Sequence, residues 1–178
     1  GILLVAKKRS ALKHLQDQFR ERETGKTYLA LVQGSWPEKL KVIDSALHKF
    51  LLPDGERRVK VTSNEDPDGM RSITLVKVAE RLVDCTLLEV TIKTGRTHQI
   101  RVHLASQGHP IAGDDKYGDF EWNKVLQKQG LKRMFLHAWR LQFSHPATGK
   151  RVELKSNLPS ELQLYVNHAK PKSTSPPV

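Results

Sequence analysis

Gly95-Arg96-Thr97-His98-Gln99-Ile100-Arg101-Val102-His103, entered from Thr86-Leu87-Leu88-Glu89-Val90-Thr91-Ile92, sets the architecture of this chain. The second segment is β-branched and apolar, and the alternation at Ser72, Thr74, Val76 and Val78 before it predicts a hairpin of two longer strands. Thr97 is expected to cap a helix over roughly 98–107, stopped by Gly108 and Pro110. On that helix His98 and Arg101 sit three apart on one face, while Ile100 and Leu104 sit four apart on another and turn to the core. Gly95 and Arg96 fall in the turn from strand to helix. Two arginines, two histidines and an amide within nine residues exceed what apolar packing requires.

At the start of the chain, residues 2–6 read as a buried strand. The chain opens directly on it, so a preceding segment is expected to have been cut off. Ser10 is expected to cap a helix over about 11–22, with Leu12, Leu15 and Phe19 as its inner stripe and Lys7, Lys8, Arg9, Lys13, Arg20 and Arg22 as a basic outer face. Gly25 stops it, and Tyr28-Leu29-Ala30-Leu31-Val32 forms a strand closed by Gly34 and Pro37. Short strands are expected near 42–50 and 57–62, with tight turns at Pro53-Asp54-Gly55 and Pro67-Asp68-Gly69; the region 53–70 has the character of an insertion. A helix over 119–129 should turn Phe120, Trp122, Val125 and Leu126 inward. Strands over 135–143 and 150–155 should flank the turn Pro146-Ala147-Thr148-Gly149, and a last helix should span about 160–168. The fold class is α+β, a mixed, mainly antiparallel sheet with flanking helices. One domain over 1–168 and a loose C-terminal tail over 169–178 are expected.

Thirty basic residues against 19 acidic give a formal charge of +11 over 178 residues, which favours a polyanionic partner, nucleic acid first, over an ordinary protein of high isoelectric point. The single cysteine, Cys85, lies in an apolar run and cannot form an internal disulfide, so a reducing, cytoplasmic setting is expected. No apolar run approaches the length of a membrane span, and the first residues carry no signal-peptide pattern. His98, His103 and His109 are spaced unlike any zinc motif, and Asp114-Asp115 reads as paired acids in a turn, so no metal site is expected. Neither glycine-rich nucleotide-cofactor motif occurs.

Three features are candidates for chemistry, each with a plainer reading. Arg101 suits a carboxylate or phosphate held by two parallel hydrogen bonds; an Arg–Asp pair joining two elements is the alternative. Tyr28 suits stacking on a planar ligand with its hydroxyl left polar; core packing is the alternative. His109-Pro110-Ile111-Ala112-Gly113-Asp114-Asp115-Lys116-Tyr117-Gly118 is long and mixed in charge for a connection, and either lines a site or is turn structure.

The 95–103 run, with His109-Pro110-Ile111, Gly113-Asp114 and Tyr117-Gly118, resembles the RNA pseudouridine synthases of the RluA type. Lys26-Thr27-Tyr28-Leu29-Ala30-Leu31-Val32-Gln33-Gly34 is similar to that family's tyrosine motif. Leu136-His137-Ala138 with His145-Pro146 and Gly149 is similar to its C-terminal strand pair, and residues 1–7 are similar to the stretch after its catalytic motif. The spacing through Asp119, Phe120, Trp122 and Phe135 most resembles the branch that modifies large-subunit ribosomal RNA. The resemblance covers about 1–165. It implies an isomerase that detaches uracil at N1 and reattaches it through C5, without metal or cofactor, on ribosomal RNA as a partner, in a monomer. It implies Arg101 as the partner of a nucleophilic aspartate expected five residues before Gly1, and Tyr28 as the ring against the target base. Lys7, Lys8, Arg9, Lys13, Arg96 and His98 are expected to hold RNA phosphates. A non-catalytic RNA-binding module and a ribosome-assembly protein are the rival readings.

Overall fold

The computed structural model describes residues 1–21 and 24–171. Its centre is β1 (Gly25–Gln33), in which Ala30, Leu31 and Val32 are fully buried. Both faces of this strand are covered, which is why its sequence is a continuous apolar run rather than an alternation. On one side β1 pairs with β6 (Cys85–Ile92), and on the other with β7 (Leu136–Ser144). With β2 (Val42–Asp44), β5 (Ile73–Arg81) and β8 (Arg151–Lys155) they form a six-stranded sheet in the order β2-β5-β6-β1-β7-β8. Every ladder between these strands is antiparallel among the described residues. β3 (Leu47–Leu51) and β4 (Arg57–Val61) form a separate hairpin around the turn at Gly55, whose φ of +85° suits glycine. The expected α+β class and the β5–β6 hairpin are both found.

One face of the sheet carries Tyr28, Ala30, Val32, Leu88 and Val90, packed against Ile100 and Leu104 of α2 (Gln99–Ser106). The opposite face carries Leu29, Leu31 and Leu87, covered by Leu126 of α3 (Phe120–Lys128) and by Leu162, Tyr165 and Val166 of α4 (Ser160–Ala169). α1 (Arg9–Arg20) lies over β7, with Leu15 against Leu141 and Phe143. Cys85 is buried in the α3–α4 core. Burial, helped by Asp84 next to it, pushes its thiol up to about 11, consistent with an inert side chain. No helix among the described residues is long and apolar enough to cross a membrane.

Local chemistry departs from the expected pattern in four places. Residues 1–6 form no strand ladder. Ile2, Leu4 and Ala6 lie against the α1–β7 cluster while Leu3 and Val5 face outward, so packing alone organises them. α1 begins one residue before Ser10 and has no side-chain cap; its buried positions are Leu15 and Gln18, with Leu12 and Phe19 largely exposed. The Gln18 amide accepts from the Ser144 amide and donates to its carbonyl, both at 2.7 Å, so it serves as a strand partner for the end of β7. Thr97 does not cap α2; the N-cap is His98, which makes no side-chain cap bond, and the Gln99 side chain accepts from the Arg96 amide in the turn before it. In α3, Leu126 and Asn123 are buried while Phe120 and Val125 stay outside. Arg22 and the tail from 172 onward lie outside the described residues.

Candidate functional site

α2 has only eight residues and turns a different chemistry to each neighbour. Ile100 and Leu104 face the sheet, Val102 meets Leu47 and Val59 of the β3–β4 hairpin, and Arg101 faces the loop 111–118. The loop is fixed from both ends. Ile111 bridges Val32, and the Ala112 amide donates to the Leu31 carbonyl at 2.8 Å. Asn123 accepts from the Gly113 amide at 2.9 Å and donates to the Asp114 carbonyl at 2.8 Å.

In that loop Asp114 is fully buried and takes both arms of Arg101. Nε donates to Oδ2 at 2.9 Å and Nη2 to Oδ1 at 2.6 Å. Oδ1 also accepts from the amides of Lys116 (2.9 Å) and Tyr117 (3.1 Å). Burial pushes this carboxyl up, but the guanidinium and the two amides outweigh it and hold the group below the ordinary carboxylate range. The same pairing raises Arg101 against its own desolvation. The Tyr117 ring lies 5.2 Å from the guanidinium carbon. Its hydroxyl accepts from the Val59 amide at 3.0 Å and is left free to donate to His98 Nδ1, 2.8 Å away. Burial first, then Arg101 and Lys116, lowers the His98 pKa, so its ring is neutral at pH 7. His98 has φ +54°, a left-handed conformation that costs a non-glycine residue about 1–2 kcal/mol and is held here by the Tyr117 contact.

Gln99 and His103 of the 95–103 run are structural. Gln99 Oε1 accepts from Thr94 Oγ1 (2.6 Å) and from the Arg96 amide (3.2 Å), and Nε2 donates to the Ile73 carbonyl (2.9 Å) and Thr74 Oγ1 (3.0 Å). The Thr74 hydroxyl meets His103 Nδ1 at 2.7 Å, and His103 Nε2 donates to the Ser45 carbonyl at 2.8 Å. A carbonyl only accepts, so the proton is on Nε2 and Nδ1 accepts from threonine. Every polar group of this buried chain is used, and it welds α2 to β5. Burial lowers the His103 pKa. A histidine kept neutral in the folded state is protonated first in the unfolded chain, so stability falls as pH drops below the unfolded value of about 6.5. A urea series from pH 7.5 to 5.5 should show this loss with a slope up to about 1.4 kcal/mol per pH unit. The slope should flatten in His103→Gln; an equal slope in the variant would assign the effect elsewhere.

Tyr28 stands on the α2 face of the sheet, opposite Val90 and Ala138 on the flanking strands, with Lys26 Nζ 5.3 Å from its ring. Gly1 lies beside Ala138, so the first residue adjoins the Tyr28 strand pair. A cleft of about 270 Å³, lined by Phe19, Thr24, Lys26 and Ile92–Gly95, separates the end of α1 from the turn into α2. Lys7, Lys8, Arg9 and Lys13 are exposed at the start of α1, on the β7 flank of Tyr28. Arg96 is half-buried on the other flank, with Nε donating to the Arg71 carbonyl at 3.2 Å. The structure therefore gathers Arg101, His98 and Tyr117 closely, sets Tyr28 on the same sheet face, and keeps the α1 cations apart. No group of three His, Cys, Asp or Glu suited to a metal occurs among the described residues.

A family model described as RNA pseudouridylate synthase matches residues 1–106. The chain belongs to the RNA pseudouridylate synthase family. It is 45% identical over 163 residues to ribosomal large subunit pseudouridine synthase C of Haemophilus influenzae, covering 92% of this chain and 49% of that protein. It is 47% identical over 165 residues to the protein of the same name from Escherichia coli, covering 92% and 50%. The chain thus spans about half the length of the curated relatives it matches. Among solved structures it resembles human RNA pseudouridylate synthase domain containing 1 (TM-score 0.72, 28% identity, 87% of this chain and 63% of that one). It also resembles human RNA pseudouridylate synthase domain containing 4 (TM-score 0.74, 25% identity, 95% and 70%). The family resemblance carried by the sequence motifs is borne out, and so is the likeness to the synthase C branch.

Within this family frame, two partners escaped sequence reading. Asp114 and Tyr117 were visible as members of a loop suited to lining a site, but nothing linear pairs them with Arg101, 13 residues away from Asp114. Arg58 was not singled out either; it donates to the Lys116 carbonyl at 3.0 Å and binds the β3–β4 hairpin to the loop.

Proposed function

We propose that residues 1–168 belong to the catalytic domain of a cytoplasmic isomerase that converts specific uridines of large-subunit ribosomal RNA to pseudouridine. The reading draws on the family and on relatives whose names state that substrate. The observation that supports it most within the fold is that Tyr28 and the Arg101 helix pack on the same face of the sheet. In this reading the target base leaves the RNA stack and lies against the Tyr28 ring. The family aspartate, expected five residues before Gly1, acts at the ribose while Arg101 holds it ionised and oriented. The glycosidic bond to N1 breaks, the base turns, C5 bonds to the ribose, and the C5 proton is lost as N1 regains one. Tyr28 assists the loss of the C5 proton. No cofactor takes part. Lys7, Lys8, Arg9 and Lys13 on one flank, with Arg96 and His98 on the other, contact the RNA backbone, His98 as a neutral hydrogen-bonding group. Each charged phosphate contact removed should weaken all RNAs alike and lower the salt slope by about 1.

The test is to incubate the full-length protein with unmodified large-subunit ribosomal RNA transcript and map pseudouridine at nucleotide resolution. Site-specific product that is lost with Tyr28→Ala supports the enzyme. Tight binding with no product, on naked transcript and on assembly intermediates, would favour the non-catalytic RNA-binding module.

A further inference from the structure

Arg101 is held more tightly than a stabilising pair requires. Two of its five N–H groups are committed to Asp114, one face of its guanidinium is covered by Tyr117, and its side chain retains 12% of its exposure. Asp114 is in turn fixed by two backbone amides, and its loop by Asn123. A buried ion pair is an inefficient source of stability, because desolvation offsets most of the Coulombic gain. What such a cage does supply is one plane and one rotation. Nε and one Nη2 proton are engaged by Asp114, and Nη2 also lies 3.6 Å from Oδ1 of the exposed Asp115, so among the described residues Nη1 is the nitrogen left to meet a second anion.

We propose that Asp114 and Tyr117 are positioning residues: Asp114 sets the rotation of the Arg101 guanidinium and Tyr117 its plane, so that the Nη1 edge is presented to the reacting carboxylate. The inference rests on the catalytic reading of Arg101 given above. Aligning a group in advance matters most when the reacting atoms tolerate little displacement. The pair also places a negative charge beside Arg101, so its orientation, rather than its bare charge, becomes its main contribution.

Asp114→Asn separates the two roles. With the amide oxygen at the Oδ1 place, the bonds from Nη2, Lys116 and Tyr117 survive, while an NH2 group now faces Nε–H and that bond is lost. In full-length protein, at a temperature where circular dichroism shows the variant fully folded, the single-turnover rate should fall about tenfold or more, with RNA affinity within about threefold. The double variant Arg101→Lys/Asp114→Asn should be no slower than Arg101→Lys alone, within about twofold, because Asp114 acts only through the guanidinium. Should Asp114→Asn not fold, Tyr117 carries the test: Tyr117→Leu, which removes the ring, should be slower than Tyr117→Phe, which keeps it, by about fivefold or more per folded molecule. A rate unchanged per folded molecule, or independent additive losses in the double variant, would overturn the positioning role. If the wild-type full-length protein makes no pseudouridine on any RNA tested, the catalytic reading itself fails, and that outcome is distinct from an active wild type beside equally active variants.

Discussion

Arg101→Lys in the full-length protein is expected to lower the single-turnover rate of pseudouridine formation about 100-fold while leaving RNA affinity within about threefold. Lysine keeps the charge beside buried Asp114 but has no fork, so it satisfies one carboxylate oxygen at a time and offers no defined second edge. The loss is therefore one of geometry. Arg101→Ala is a poorer probe of chemistry, because it leaves the fully buried Asp114 carboxylate without its cation at a cost of about 3–5 kcal/mol. Thermal melts of both variants beside the kinetics separate the effects: alanine should show the larger drop in stability, and lysine a loss of rate well beyond its loss of stability. An Arg101→Lys protein that turns over within about threefold of wild type would reduce Arg101 to the plain Arg–Asp strut that the sequence also allowed.

A large effect on folding is also expected at Gly118. A Cβ there would sit 2.2 Å from the Asp114 carbonyl oxygen and 3.2 Å from Asn123 Nδ2, and that carbonyl already accepts the Asn123 bond. Backbone on one side and a buried hydrogen bond on the other leave the methyl nowhere to go, so Gly118→Ala should cost about 3 kcal/mol or more. It should also pull Asp114 away from Arg101, so activity falls with stability. Gly95→Ala is the matching control: a Cβ there meets no heavy atom within 4 Å, so its stability cost should stay within about 1 kcal/mol. Denaturant melts of the two variants check both expectations, and equal stabilities would mean that the loop can open to admit a methyl group.

Residue order alone was enough to establish the family, the mainly antiparallel α+β class, the strand over 28–32 and the β5–β6 hairpin. Those properties are written in local periodicity and in the fixed order of short motifs, which survive without knowledge of what packs on what. The 95–103 run was legible as unusual, but its division of labour was not. Gln99 and His103 prove to be ties to β5, because only the fold places Thr74, Ile73 and Ser45 beside them. The helix caps also escaped the pattern. Thr97 has the right chemistry for a cap, yet the left-handed His98 takes the N-cap position one residue later and makes no side-chain cap bond. Along α1, the apolar stripe over-read Leu12 and Phe19, since the neighbouring β7 covers only Leu15 and Gln18. Most of all, the partner of Arg101 was selected by three-dimensional packing. A carboxylate can answer a guanidinium from any part of the chain, and only folding the 111–118 loop across the end of β1 brings Asp114 to Arg101.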